Sequence, residues 1–160
     1  MFSRPMPPAG ERVLRRVLHT YWRLSRGLTL GVRGMVLDRD NRVLLIKHSY
    51  VAGWHLPGGG VEAGETMTTA LRRELQEECG VEPAGTPPLH GIFFNPRDSN
   101  RDHVALYVVR DYRHDGFPPP NREIIDHGFF AVGELPADAT PATRRRIDEV
   151  LHGAPVADRW

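Results

Sequence analysis

Cysteine and lysine each occur once in the 160 residues, as Cys79 and Lys47, against twenty arginines. A lone cysteine cannot close an internal disulfide, which excludes a disulfide-stapled scaffold and predicts a reducing, cytoplasmic compartment. No run approaches the roughly 20 apolar residues that a membrane-spanning helix requires. The eight histidines do not fall at zinc-ligand spacings and read as surface or supporting groups. Net charge is only +1, and no broad basic stripe for tracking nucleic-acid phosphates runs through the main part of the chain. What is present is a chain with 40 % hydrophobic residues, long enough for one domain to bury a core without covalent support.

The charge is unevenly spread. Through Arg26 there are six arginines and one acid, net +5, which leaves −4 for the remainder. Val13, Leu14, Val17, Leu18, Tyr21 and Trp22 lie at helical spacing with Arg12, Arg15, Arg16 and Arg23 interleaved. An Arg-rich, acid-poor amphipathic start resembles a transit peptide or a membrane-surface helix. The reading adopted is a helix over residues 1–26 docked on its own domain or on a second subunit, with residues 27–160 forming the main domain. A homodimer is one form this takes.

Between Gly59 and Val81 lies the chemistry-bearing pattern: Gly59, five residues, Glu65, seven residues, then Arg73-Glu74-Leu75-Gln76-Glu77-Glu78-Cys79-Gly80-Val81. Good helix formers from Leu71 to Glu78, with Thr66 as a cap, predict a helix from about 66 to 79. Glu74, Glu77 and Glu78 then stand at i, i+3 and i+4 and project from one face. Three such anions repel one another, and a shared divalent cation reverses that cost. Carboxylate oxygens favour a hard ion, Mg2+ or Mn2+. Leu71 and Leu75 share the opposite face for burial, Gly80 reads as the C-cap, and Cys79 reads as packing. Upstream, Leu56-Pro57-Gly58-Gly59-Gly60 is a loop whose missing side chains let backbone approach a metal or a diphosphate. Arg73 is near enough to bond back to Glu65 and hold that loop against the helix.

This stretch resembles the Nudix box, the signature of the Nudix hydrolase family, and matches it completely. The flanking order of elements is compatible with the family fold from about Leu28 to Leu151. The resemblance implies metal-dependent hydrolysis of a nucleoside diphosphate linked to another group X, by attack of water on phosphorus. It implies metal ligation by Glu74, Glu77, Glu78 and the Gly59 carbonyl. Family members place the general base either on the box helix or on a later loop, so Glu74 and Glu77 are candidates, as are Glu123 and Asp126.

The remaining chain alternates strands and helices. Residues 30–37 and 43–48 read as strands joined by a tight turn at Asp38-Arg39-Asp40-Asn41, and are expected to form a hairpin. Further strands are expected near 88–94, 103–111 and 127–132, and Thr140-Pro141 opens a final helix with Ile147, Val150 and Leu151 facing inward. The class is α/β, a mixed sheet sandwiched between helices, which is also what the resemblance implies.

Substrate is marked more faintly. Pro96 lies sixteen positions after Gly80, where members that cleave ADP-ribose or related nucleotide sugars often carry proline, but Pro96-Arg97-Asp98 is also an ordinary turn composition. Phe94 and Arg97 offer a ring and a cation, although Phe93 and Phe94 on a strand put one ring inside and the other out. Trp54 either stacks a base or packs beside the loop. Lys47, His48 and Tyr50 are candidates for the lip of a pocket. A small nucleotide sugar is the leading substrate class. The alternatives are a canonical or oxidised nucleoside triphosphate, an RNA 5′ end, and a non-catalytic nucleotide sensor. Pro57-Gly58-Gly59 stands where the RNA-processing branch shows glutamine after proline.

Overall fold

A computed structural model describes residues 27–160 except Asp98, together with Leu18 and Tyr21. The basic helix expected over residues 1–26 otherwise lies outside the described residues; Leu18 and Tyr21 are helical and exposed. Among the described residues, no helix is long and apolar enough to cross a membrane.

Among the described residues from 27 onward, eight strands and two α-helices follow in the order β1 (Thr29–Val36), β2 (Val43–His48), β3 (Trp54–His55), α1 (Met67–Cys79), β4 (Val81–Pro83), β5 (Leu89–Phe94), β6 (Asp102–Val109), β7 (Tyr112–His114), β8 (Ile124–Phe130) and α2 (Pro141–Leu151). A mixed sheet runs β1-β6-β5, with β1 parallel to β6 along its whole length and β5 antiparallel to β6. An antiparallel sheet runs β3-β2-β8, and β4 pairs with β7.

Period-2 alternation sorts the strands onto two cores. Val32, Val36, Leu44, Ile46, Ala105 and Tyr107 pack with Leu71, Leu75 and Cys79 of α1. Met35, Leu37, Val43, Leu45 and Leu106 face the other way and pack with Ile147 of α2, with Val150 and Leu151 against the same cluster. The result is an α/β/α sandwich. Gly34 sits under α1, where an added Cβ would lie 3.0 Å from a methyl of Leu75, so its missing side chain sets how closely the helix approaches.

Both helices are capped as their sequences require. Thr66 accepts from the Thr69 amide, and Gly80 takes the left-handed C-cap at φ 67°. Thr140 accepts from Thr143 N–H, with Pro141 in the first turn.

The expected hairpin of residues 30–37 and 43–48 does not form. The turn is tight, with Asp38 accepting from the amides of Asp40 and Arg42 and Asn41 at φ 57°. Past the single bridge Leu37–Val43, however, the strands enter different sheets. The reason is competition for hydrogen bonds. One edge of β1 is filled by β6, and the other by the glycine loop, through Val32 N to Gly59 O at 2.8 Å, Gly34 N to Pro57 O at 2.9 Å and Val61 N to Leu30 O at 2.8 Å. The short strands β3, β4 and β7 were not anticipated either, being too brief for a periodic signal.

Candidate active site

The glycine loop is bound to β1 along its backbone, and this contact places the site. Gly58 has φ 136°, and a Cβ there would fall 2.1 Å from the Val32 carbonyl oxygen, so only glycine fits. Arg33 of β1 donates to the carbonyls of Leu56, at 3.1 Å, and of Gly58. From α1, Glu78 accepts the Gly58 amide at 2.6 Å. The carboxylate of Glu74 lies against Gly59, where a Cβ would meet it at 2.4 Å.

Arg73 does what its spacing from Glu65 predicts. Its Nε and Nη2 donate to the two Glu65 oxygens at 3.1 and 3.0 Å, and Nη2 also reaches Gly60 O at 3.1 Å. The hydrogen bonds to Arg73 hold the Glu65 carboxyl below its ordinary range. Arg73 Nη1 further donates to Glu74 at 2.7 Å and stands 3.7 Å from Glu77, whose side chain is largely exposed. Glu74 and Glu77 are therefore drawn toward a cation that belongs to the protein. Among the described residues, the three groups whose ligand atoms lie within 4.8 Å of one another are His48, Glu78 and Glu123, in place of the three box glutamates.

The fold brings Glu123 there through β2 and β8. Their register shifts between Lys47 and His48, so Lys47 opposes Asp126 while His48 opposes Ile124. Bulges of this kind re-aim a strand end. Beyond the shift, Ser49 N–H bonds Glu123 O at 2.9 Å, and Tyr50 OH donates to the Glu123 carboxylate at 3.0 Å. Asp126, the other loop candidate, stays outside the cluster and accepts from the His127 amide.

Burial governs the electrostatics. Glu78 is 6 % exposed, and burial pushes its pKa up to about 8; the Arg33 charge and the Gly58 amide oppose this, while Glu74 and Glu123 add to it. His48, equally buried, is driven down to about 4 by desolvation, then by Arg33 and His55. Tyr50, largely exposed, is raised to about 12 by partial desolvation and by its bond to Glu123. His48 Nδ1 is buried with no hydrogen-bond partner among the described residues. A buried carboxylate disfavoured by like charges and a bare glycine beside a second carboxylate supply the oxygen donors and cradle that a hard divalent cation fits.

A cavity of about 440 Å³ opens beside this cluster. It is bordered by Gly59 and Gly60 of the loop, His48 of the cluster, Tyr50 beside it, and Arg97 of the turn after β5. Of the four substrate candidates, Arg97 alone borders it. Pro96 is exposed on the same turn, and Phe94 is half-buried with Arg159 over its ring at 5.6 Å. The base-stacking role considered for Trp54 is corrected: the ring is 8 % exposed and packs edge-on to Phe130 at 4.9 Å. Alternation along β3 turns Trp54 into the core and leaves its neighbour His55 to border the cavity. The sequence reading also missed Arg33, Asn95 and Trp160, which border the cavity without any local motif to mark them.

Comparison with known proteins agrees with this geometry. Residues 27–150 match the NUDIX domain family. A putative 8-oxo-dGTP diphosphatase of Bacillus subtilis is 29 % identical over 128 residues, 79 % of this chain and 82 % of that protein. An ADP-ribose pyrophosphatase of Methanocaldococcus jannaschii is 39 % identical over 76 residues, 46 % of this chain and 44 % of that protein, so the chain spans less than half of that relative. Among solved structures, a MutT NUDIX hydrolase from Burkholderia pseudomallei superimposes with a TM-score of 0.67 at 26 % identity, covering 76 % of this chain and 97 % of that one. The chain belongs to the Nudix hydrolase family, as a pyrophosphohydrolase of nucleoside diphosphate derivatives.

Proposed function

We propose that the chain cleaves the diphosphate linkage of a small nucleotide, with ADP-ribose or another nucleotide sugar ahead of other substrates. The observation that carries this reading is the cavity shared by Gly59, Gly60, His48, Tyr50 and Arg97. Its size, about 440 Å³, suits a ligand of nucleotide dimensions. The position of Pro96 beside Arg97, sixteen residues after Gly80, supports a nucleotide sugar. Glu74, Glu77, Glu78 and the Gly59 carbonyl would hold a divalent cation, Mg2+ or Mn2+. When bound, such an ion neutralises phosphate oxygens and lowers the pKa of the attacking water.

The other tasks fall to side chains. Glu123 accepts the proton of the attacking water, with Tyr50 OH fixing the carboxylate that does so. Arg73 and Glu65 hold Gly60 in place and so orient the loop. Arg97 offers charge to the distal phosphate. Glu74 and Glu77 remain the alternative bases.

The test is product release with Mg2+ across ADP-ribose, other nucleotide sugars, dinucleoside polyphosphates and nucleoside triphosphates, with Glu78→Gln as control. AMP plus ribose 5-phosphate, lost in the control, is the expected outcome. A nucleoside monophosphate plus pyrophosphate would instead establish the second reading, a triphosphate substrate, which the Bacillus relative of similar length favours. Tight nucleotide binding without turnover would leave a sensor. Glu123→Gln at a near wild-type rate would remove Glu123 as the base.

A further inference from the structure

The segment after α2 returns to the edge of β5 and is fastened there by four residues. Phe94 N–H bonds Asp158 O and Trp160 N–H bonds Phe94 O, both at 2.9 Å, so residues 158–160 lie along Phe94 in a single parallel bridge. From α2, Arg145 donates to Trp160 O at 2.8 Å and Arg146 to Arg159 O at 3.2 Å, while Glu149 accepts the Ala157 amide at 3.0 Å. Arg146 has no exposed surface, bonds Glu149 at 2.6 Å and lies 3.9 Å over the Phe93 ring. A buried ion pair is costly unless its geometry is good and its hydrogen bonds are used. Here those bonds go to the backbone of residues 157 and 159, and Arg146 Nε is left without a partner among the described residues.

What this fastening positions is the Trp160 indole. It meets Phe93 edge-on at 5.7 Å, is half-buried, and borders the same cavity as Gly59 and Arg97. The cavity wall also carries polar groups, Arg33, His55, Asn95 and Asp102 among them. Asp102 is already bonded to Thr29 and Asn95, and the Tyr50 hydroxyl is committed to Glu123. Trp160 is the larger of the wall's two big rings, and unlike Tyr50 it is not tied to Glu123. A nucleotide is a charged end joined to a flat aromatic base, and the wall offers one partner of each kind.

We propose that Trp160 is the specificity residue that stacks on the nucleobase of the substrate, held in place by Arg146 and Glu149. This rests on the nucleotide reading above. Stacking on an aromatic ring tolerates any base, so the cavity selects through it for a base-bearing diphosphate over a diphosphate without one.

The experiment uses the full chain in two variants. In the absence of divalent cation, AMP and ADP-ribose are titrated while indole fluorescence is read. Wild-type fluorescence is expected to fall on binding, and Trp160→Phe, which keeps a ring against Phe93, is expected to lose most of that change. With Mg2+, Trp160→Ala is expected to raise KM for the preferred nucleotide about tenfold, the usual scale of one base stack, with a smaller effect on kcat. Thermal melts confirm that both variants are folded. A fluorescence response unchanged in Trp160→Phe, or a KM unchanged in Trp160→Ala, overturns the proposal. A response lost in Trp160→Phe while wild type hydrolyses no nucleotide supports Trp160 as the base platform and overturns the hydrolytic reading instead.

Discussion

Glu78 concentrates the conflict on which the site is built. Its folded pKa near 8 stands above the 4.5 of an unperturbed carboxyl, because burial disfavours its charge. Without cation, its contribution to stability is therefore full below about 4.5, declines as pH rises, and is gone once pH passes about 8. Urea unfolding in chelator is expected to show that decline in wild type and a flatter profile in Glu78→Gln; identical profiles would remove Glu78 as its source. Arg73 poses a different question, since it binds Glu65 and Gly60 and also holds Glu74. Glu65→Gln is expected to raise the Mg2+ concentration needed for half-maximal turnover, and unchanged metal affinity and rate would show that the pair does not position the loop. The Glu65–Arg73 bond was legible in the sequence because both partners sit inside one motif at fixed spacing. Arg33 was not, because its role comes from a loop more than twenty residues away.

Among the elements, the glycine loop and α1 act as one unit with β1. The Gly58 backbone cannot carry a side chain without moving the Val32 carbonyl. Gly58→Ala is expected to cost about 2 kcal/mol or more, from strain at a special backbone angle and a main-chain clash. It should also lower activity more steeply than stability, as seen by comparing melting temperature with kcat/KM. Leu75 is fully buried between α1 and the strands. Its replacement by alanine is expected to cost about 2–5 kcal/mol. That loss should appear in denaturant midpoints, while the residual folded protein keeps its KM. Helix α1 was readable to within a residue because its caps, its apolar face and its acidic face all agree. The hairpin expectation failed because alternation shows that β1 and β2 are strands without saying which partner takes each edge.

For the whole molecule, the cavity is assembled from β1, the end of β2, β3, the glycine loop, the turn after β5, the start of β6, the start of α2 and Trp160. No short window of sequence contains it. A cation that binds the folded state and not the unfolded one stabilises by mass action, by about 2.7 kcal/mol at a hundredfold excess over its Kd. Mg2+ or Mn2+ is thus expected to raise the melting temperature of wild type and to raise it much less in Glu78→Gln. An equal rise in both would place the ion elsewhere.

The sequence alone determined the α1 helix, the row of carboxylates along one of its faces, the Glu65–Arg73 brace, the α/β class and the family, because these depend on spacings of a few residues along one element. Tertiary structure decided that β1 pairs with β6 and the loop, that Trp54 is core, and that Glu123 rather than Asp126 joins Glu78 and His48. It also brought Trp160 to the cavity. Those outcomes depend on which hydrogen-bonding edges and apolar faces remain free after other elements have packed, a competition among distant segments that no local pattern records.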